Sequence, residues 1–200
     1  DLPLRARKDQ QENLPHARAA LAMCENIDWN VGRVMKTLDD LEISDNTIVI
    51  YFSDNGPNGY RWNADMKGKK GAVDEGGVRS PFFIRWPEKI KAGGKTDTIS
   101  GSIDLKPTLL DLAGISDTGA LPMDGVSLKP LLFEDAESWP DRLYVNHFNG
   151  KTSVRSQRFR LGFKGGLYDM QNDPGQRVDV RDKFPKVYQE LTTTGEKFNK

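Results

Sequence analysis

Asp54, Asn55 and Gly56 stand together directly after an apolar run, and they define the first chemistry this chain can support. A carboxylate and an amide oxygen are hard donors of the kind that hold Ca²⁺ or Mg²⁺. A glycine after them lets the backbone turn sharply around an ion. The same residues have a plainer reading, because Asn-Gly is also a strong tight-turn signal. The preceding run, Thr47 to Phe52, is β-branched, apolar or aromatic without polar alternation. That pattern predicts a strand buried on both faces, as in a parallel sheet, and ligands of open α/β sheets bind beyond the carboxyl ends of such strands. Pro57-Asn58-Gly59 supplies a further turn where a hairpin would need a return strand. Metal ligand and plain turn are both compatible with these residues.

Residues 57–80 show no helical or strand periodicity. They carry Gly59, Gly68, Gly71, Gly76 and Gly77, with Lys67, Lys69 and Lys70 among them. A long glycine-bearing loop behind a metal-type turn is where a binding site is built; a solvated loop of mixed charge is the alternative. Of the two histidines, His147 ends a strand pattern, where a group titrating near neutral pH could face a substrate or simply decorate a hairpin. The one cysteine, Cys24, excludes an intrachain disulfide and falls on the apolar side of a helix, so it reads as a small buried hydrophobe.

The elements that must position these groups follow from spacing. Leu21, Cys24, Ile27, Val31, Val34, Leu38 and Leu41 recur at steps of three and four, predicting a long amphipathic helix from about Pro15 to Glu42 with one buried face. Ser44-Asp45-Asn46 breaks it ahead of the 47–52 strand. Pro81 to Pro87 brackets a second short strand, and Thr98 to Ile103 is expected to form a third. Asp104 is placed to cap a helix with Pro107 in its first turn and Gly114 at its end. Glu134 to Pro140 marks the predicted boundary. Beyond it, two turn signals, Asn149-Gly150 and Gly165-Gly166, divide four short antiparallel strands, and a last helix starts near Pro185. The expected organisation is an α/β part, residues 1–136, followed by a small α+β part, residues 137–200.

Lys and Arg together number 29, as do Asp and Glu, so no charge imbalance points to nucleic acid or an anionic membrane. No apolar run approaches the roughly 20 residues of a membrane span. The opening Asp1-Leu2-Pro3-Leu4-Arg5 is neither an initiator methionine nor a signal peptide, and leads us to expect a processed chain or a fragment.

Taken together, several ordered segments resemble the sulfatase family of the alkaline-phosphatase-like superfamily. They are Met23 to Asp28 with Asn30 to Val34, Asp45 to Ile50, Ser53 to Pro57, Lys67 to Gly71, Glu75 to Pro81, Asp104 to Gly114, Asp124 to Leu128, and Leu167 to Met170 with Asn172-Asp173-Pro174. The resemblance covers roughly residues 20–180 and only the C-terminal part of such an enzyme. It implies that Asp54 and Asn55 are two ligands of a divalent cation, Ca²⁺ or Mg²⁺, and that Lys70 contacts the sulfate group. Glu75 and Arg79 would tie the loop together, and His147 is a further candidate for substrate contact.

The family's formylglycine arises from a Cys or Ser in a Cys-x-Pro-x-Arg type motif. Cys24 is followed by Glu25, Asn26 and Ile27, so the nucleophile is expected upstream of these 200 residues. His16 lies near the region of a family histidine, but its Leu-Pro-His-Ala context does not carry the role over. The resemblance implies a sulfated small molecule or carbohydrate as substrate, and a periplasmic, extracellular or lysosomal location. A phosphoesterase or phosphonate hydrolase of the same superfamily, and a non-catalytic vestigial domain, are the alternatives.

Overall fold

The structure, a computed structural model, describes residues 13–117, 119, 121–133 and 139–199. The predicted long helix is α1, Leu14–Asp40, started by the Asn13 side chain accepting from the His16 backbone N–H at 3.0 Å. The expected buried face is not covered. Ala17 is its one buried residue, and Leu21, Ile27, Val34 and Cys24 are exposed. Cys24 is therefore not the core residue its position predicts: no other described element of this chain packs over the middle of that helix face.

β1, Val49–Phe52, pairs antiparallel with β2, Phe82–Arg85, in a two-stranded ribbon with Val49 opposite Arg85 and Phe52 opposite Phe82. This corrects the expectation of a parallel strand buried on both faces. A strand with one neighbour has an open edge, and Tyr51, Phe52, Phe82 and Phe83 remain exposed because no other described element covers them. Between β1 and β2 lies a long loop ending in a single helical turn, α2, Glu75–Val78.

The third strand expected at 98–103 is absent. The Ile99 N–H donates to the Gln157 side chain at 2.9 Å, and the Gln157 amide donates to the Asp97 carbonyl at 2.9 Å, so a side chain replaces a strand ladder. α3, Leu105–Leu112, follows a 3₁₀ turn, and α4, Lys129–Leu132, packs against it. Asp104 precedes α3 but does not cap it with its side chain. Its carboxylate, fully buried, accepts from the Gly101 N–H (2.9 Å), the Val126 N–H (2.9 Å), Arg142 Nη1 (2.7 Å) and the Tyr144 hydroxyl (2.7 Å). Four donors outcompete one cap, because a buried carboxylate needs its lone pairs satisfied. Burial and the Asp104 hydrogen bond push the Tyr144 hydroxyl well above its ordinary pKa.

The C-terminal part matches its prediction. β3 (Tyr144–Phe148), β4 (Lys151–Arg155), β5 (Phe159–Leu161) and β6 (Leu167–Asp169) form an antiparallel meander in chain order, and α5, Pro185–Phe198, packs on it. Asn149 and Gly150 take φ of 49° and 70°, the two left-handed residues of a type I′ turn. The second hairpin is longer than predicted. Gly162 N–H bonds to the Gly166 carbonyl at 2.8 Å, leaving a three-residue loop rather than a Gly165-Gly166 pair.

Alternation along the strands gives the sheet two different faces. Val154, Phe159, Leu161 and Leu167 join Leu191 of α5 in an apolar core. Ser153, Arg155 and Arg160 face the loop that carries α2. The predicted boundary between residues 136 and 137 lies outside the described residues.

Candidate active site

β1 delivers Ser53, Asp54 and Asn55 to the edge of the glycine-rich loop, and the backbone there is packed too tightly for side chains. The Gly56 N–H donates to the Gly77 carbonyl at 3.0 Å, and a Cβ on Gly56 would lie 1.9 Å from the Gly76 carbonyl oxygen. A Cβ on Gly77 would meet the Ala72 carbonyl oxygen at 2.2 Å, so both crossing strands of backbone require glycine. The Ser80 hydroxyl donates to the Ser53 carbonyl at 2.6 Å and the Lys70 N–H to the Pro57 carbonyl at 2.9 Å. These bonds fold the two ends of the loop onto each other. The result brings Lys70 Nζ to 3.8 Å from Asp54 Oδ2, with both side chains largely open to solvent. Asn55 is adjacent and half-buried.

The loop rests on a buried ionic floor that sequence reading located only in part. Glu75 Oε2 accepts from Arg155 Nε (3.1 Å), Arg160 Nε (3.1 Å) and Arg160 Nη2 (2.8 Å). Arg160 is 2 % exposed, and its Nη1 also donates to the Val73 carbonyl at 2.8 Å, which Ser153 Oγ shares at 2.7 Å. Gln176 completes the floor: its oxygen accepts the Glu75 N–H at 3.1 Å while its amide donates to Asp74 at 2.9 Å. It does so from φ 51°, an uncommon conformation for a non-glycine residue. Burial alone would raise the Glu75 carboxyl, but attraction to Arg160 and Arg155 outweighs it and holds the group below the ordinary glutamate value. Arg79 lies 3.7 Å from the other Glu75 oxygen, so Glu75 and Arg79 sit as loop ties.

The remaining candidates are dispersed. His147 faces the α5 side of the sheet, its Nδ1 2.9 Å from Thr152 Oγ1 and its ring against Phe198. Its neighbour Phe148 is on the opposite side, next to Gly71. His16 lies against Gly59, where a Cβ would come 2.9 Å from its Nδ1. Arg155, Arg160, Ser153 and Gln176 were missed as site-supporting residues. The available signal was the arginines and serine at strand positions where a one-sided sheet would be apolar or solvated.

Asp54 and Asn55 present a carboxylate and an amide oxygen, a donor pair suited to a hard divalent cation. Among the described residues no group of three or more His, Cys, Asp or Glu side chains gathers to hold one. The chain thus fits such an ion with part of a ligand set.

Residues 4–115 match the family model described as Sulfatase, and residues 68–198 match that of N-sulphoglucosamine sulphohydrolase, C-terminal. An N-acetylgalactosamine-6-O-sulfatase of Bacteroides thetaiotaomicron is 30% identical over 199 residues, covering 83% of this chain and 39% of the relative. Human arylsulfatase A is 30% identical over 205 residues, covering 82% of this chain and 40% of the relative. A solved structure in complex with its substrate D-glucosamine-2-N,6-O-disulfate superposes with a TM-score of 0.71 at 30% identity, over 91% of this chain and 40% of that one. The chain spans about two-fifths of the length of these relatives.

Proposed function

The chain belongs to the sulfatase family, with the alkaline-phosphatase-like fold of that family, and from that premise we propose that it is the C-terminal part of an enzyme that hydrolyses sulfate esters. The observation that carries the reading is the convergence of Asp54 and Lys70 at 3.8 Å, from positions sixteen residues apart, on a loop that backbone packing and a buried ionic floor hold in place. Asp54 and Asn55 would hold a divalent cation, Ca²⁺ or Mg²⁺, which supplies Lewis-acid polarisation of a sulfate oxygen when bound. Lys70 contributes the fixed positive charge. Its ammonium is exposed to an incoming anion, and its backbone is anchored at Pro57, so it orients the sulfate group and stabilises charge that grows on it in the transition state. The bonds from the Lys70 N–H to the Pro57 carbonyl and from the Ser80 hydroxyl to the Ser53 carbonyl tie the loop down, and preorganisation is what makes such a charge effective.

The attacking formylglycine would come from residues outside these 200. The substrate would be a sulfated sugar or other small sulfate ester, met in the periplasm, the lysosome or outside the cell.

The test uses the full-length protein, with formylglycine verified by peptide mass spectrometry. Sulfate release is followed from a panel of aryl sulfates, sulfated glycosaminoglycan oligosaccharides and sulfated carrageenan oligosaccharides. Turnover of at least one class, lost in Lys70→Ala, is expected. Verified formylglycine with no sulfate released from any class would overturn the proposal.

A further inference from the structure

The β3–β4 hairpin ends beside the Lys70 loop with an aromatic and basic surface that neither the cation site nor the ionic floor uses. Phe148 and Lys151 are cross-strand partners and so share a face of the sheet. It is the face on which Ser153 and Arg155 bond to Val73 and Glu75, so its far end extends along the same loop toward Gly71. A Cβ on Gly71 would lie 3.8 Å from Phe148 Cε1, and Gly71 is the residue after Lys70. Phe148 is nonetheless 57% exposed. The neighbouring hairpin reaches the same end of the sheet and adds Phe163, also exposed, with Lys151 Nζ 5.3 Å and Lys164 Nζ 5.7 Å from its ring centroid.

Flat apolar rings bordered by ammonium groups suit one class of ligand: a sugar ring whose C–H face lies on the aromatic surface and whose sulfate or carboxylate substituents meet the lysines. Phe148 and Phe163 lie on two different hairpins, a spread that suits a saccharide of more than one ring better than the single ring of an aryl sulfate. Resting on the function proposed above, we infer that Phe148, Lys151, Phe163 and Lys164 form a subsite for the saccharide part of a sulfated oligosaccharide. Phe148 supplies the stacking surface nearest the reacting group.

In the full-length protein, kinetics with sulfated hexasaccharides of the glycosaminoglycan and carrageenan types are compared with 4-nitrophenyl sulfate. Phe148→Ala and Lys151→Ala are expected to raise KM for the preferred hexasaccharide by about tenfold or more with kcat kept, and to leave the aryl sulfate within about twofold. Phe148→Trp retains the hexasaccharide KM. Equal losses on both substrates would assign these residues to structure, and unchanged hexasaccharide kinetics would remove the subsite; either overturns the inference. Turnover of the aryl sulfate alone also overturns it while leaving the proposed function standing. A wild-type enzyme inactive on every sulfate ester would instead be a failure of that function.

Discussion

One carboxylate oxygen, Glu75 Oε2, takes hydrogen bonds from two guanidinium groups that the chain reaches 80 and 85 residues later. Removing one partner of such a buried ion group leaves uncompensated charge, so Glu75→Gln should destabilise the full-length protein by about 3–5 kcal/mol in urea unfolding. A loss below about 1 kcal/mol would mean that the arginines find water instead. Because the Glu75 pKa is lowered in the folded chain, its stabilisation is complete above the ordinary glutamate value of about 4.3 and is lost as pH falls through and below it. The urea midpoint should therefore decline on acidification from about pH 5, with a shallower slope in Glu75→Gln. At the proposed cation site, Asp54→Ala removes a charged donor and Asn55→Ala a neutral one. Elemental analysis should show the larger loss of cation in Asp54→Ala. Lys70→Ala should keep the cation while kcat falls by about 10²–10³. If Asp54→Ala keeps both cation and rate, the turn at 53–56 is only a turn. Asp54, Asn55 and Lys70 were singled out as candidates because short local strings carry them. Arg160 was not, because its partner lies far off in sequence.

Legibility at the level of elements followed the range of the forces involved. Asn149-Gly150 dictates its own backbone, so the hairpin and the four-stranded order were readable from local chemistry. β1 and β2 are equally apolar runs about thirty residues apart, and nothing local distinguishes an antiparallel pair from two members of a parallel sheet. The helix period of α1 gave its limits to within two residues, but not what covers its apolar face. Asp104 sits at a helix start and reads as a cap, whereas its side-chain partners are Gly101 of its own turn and groups from two later segments, Val126 and Arg142 with Tyr144. The crossing of the 53–57 and 76–77 backbones is the element most sensitive to a single methyl. Gly56→Ala places that methyl against the Gly76 carbonyl, in a segment held by the Gly76 N–H to the Lys67 carbonyl and the Gly77 N–H to the Asp74 carbonyl, so neither side can yield cheaply. Activity in the full-length protein should fall by about a hundredfold or more. The urea transition of the C-terminal sheet, followed by near-UV circular dichroism, should stay in place; a matching loss there would show that the crossing supports the whole fold.

Across the whole molecule, ordered packing is unevenly distributed. The meander and α5 enclose a core around Val154, Leu167 and Leu191, while Tyr51, Phe52, Phe82 and Phe83 on the ribbon and Leu21, Ile27 and Val34 on α1 stand exposed. Hydrogen exchange on these 200 residues in isolation should show slow amides in β4, β5 and α5 and fast ones in β1 and β2. Uniform protection across both would mean that the ribbon is stable without further cover. No helix among the described residues is long and apolar enough to cross a membrane, so the exposed apolar surface is not arranged as a helical membrane span. The span of sequence between Glu75 and Arg160 also sets an order of events in biosynthesis. At about 5–20 residues per second, Arg160 leaves the ribosome roughly 4–17 s after Glu75, and until then the carboxylate lacks the partners that hold the Lys70 loop. Within these residues α1 and β1 are therefore synthesised well before that anchor, and the loop proposed to handle sulfate is held only once β5 has followed. Translation that stops short of β5 leaves that loop without its anchor.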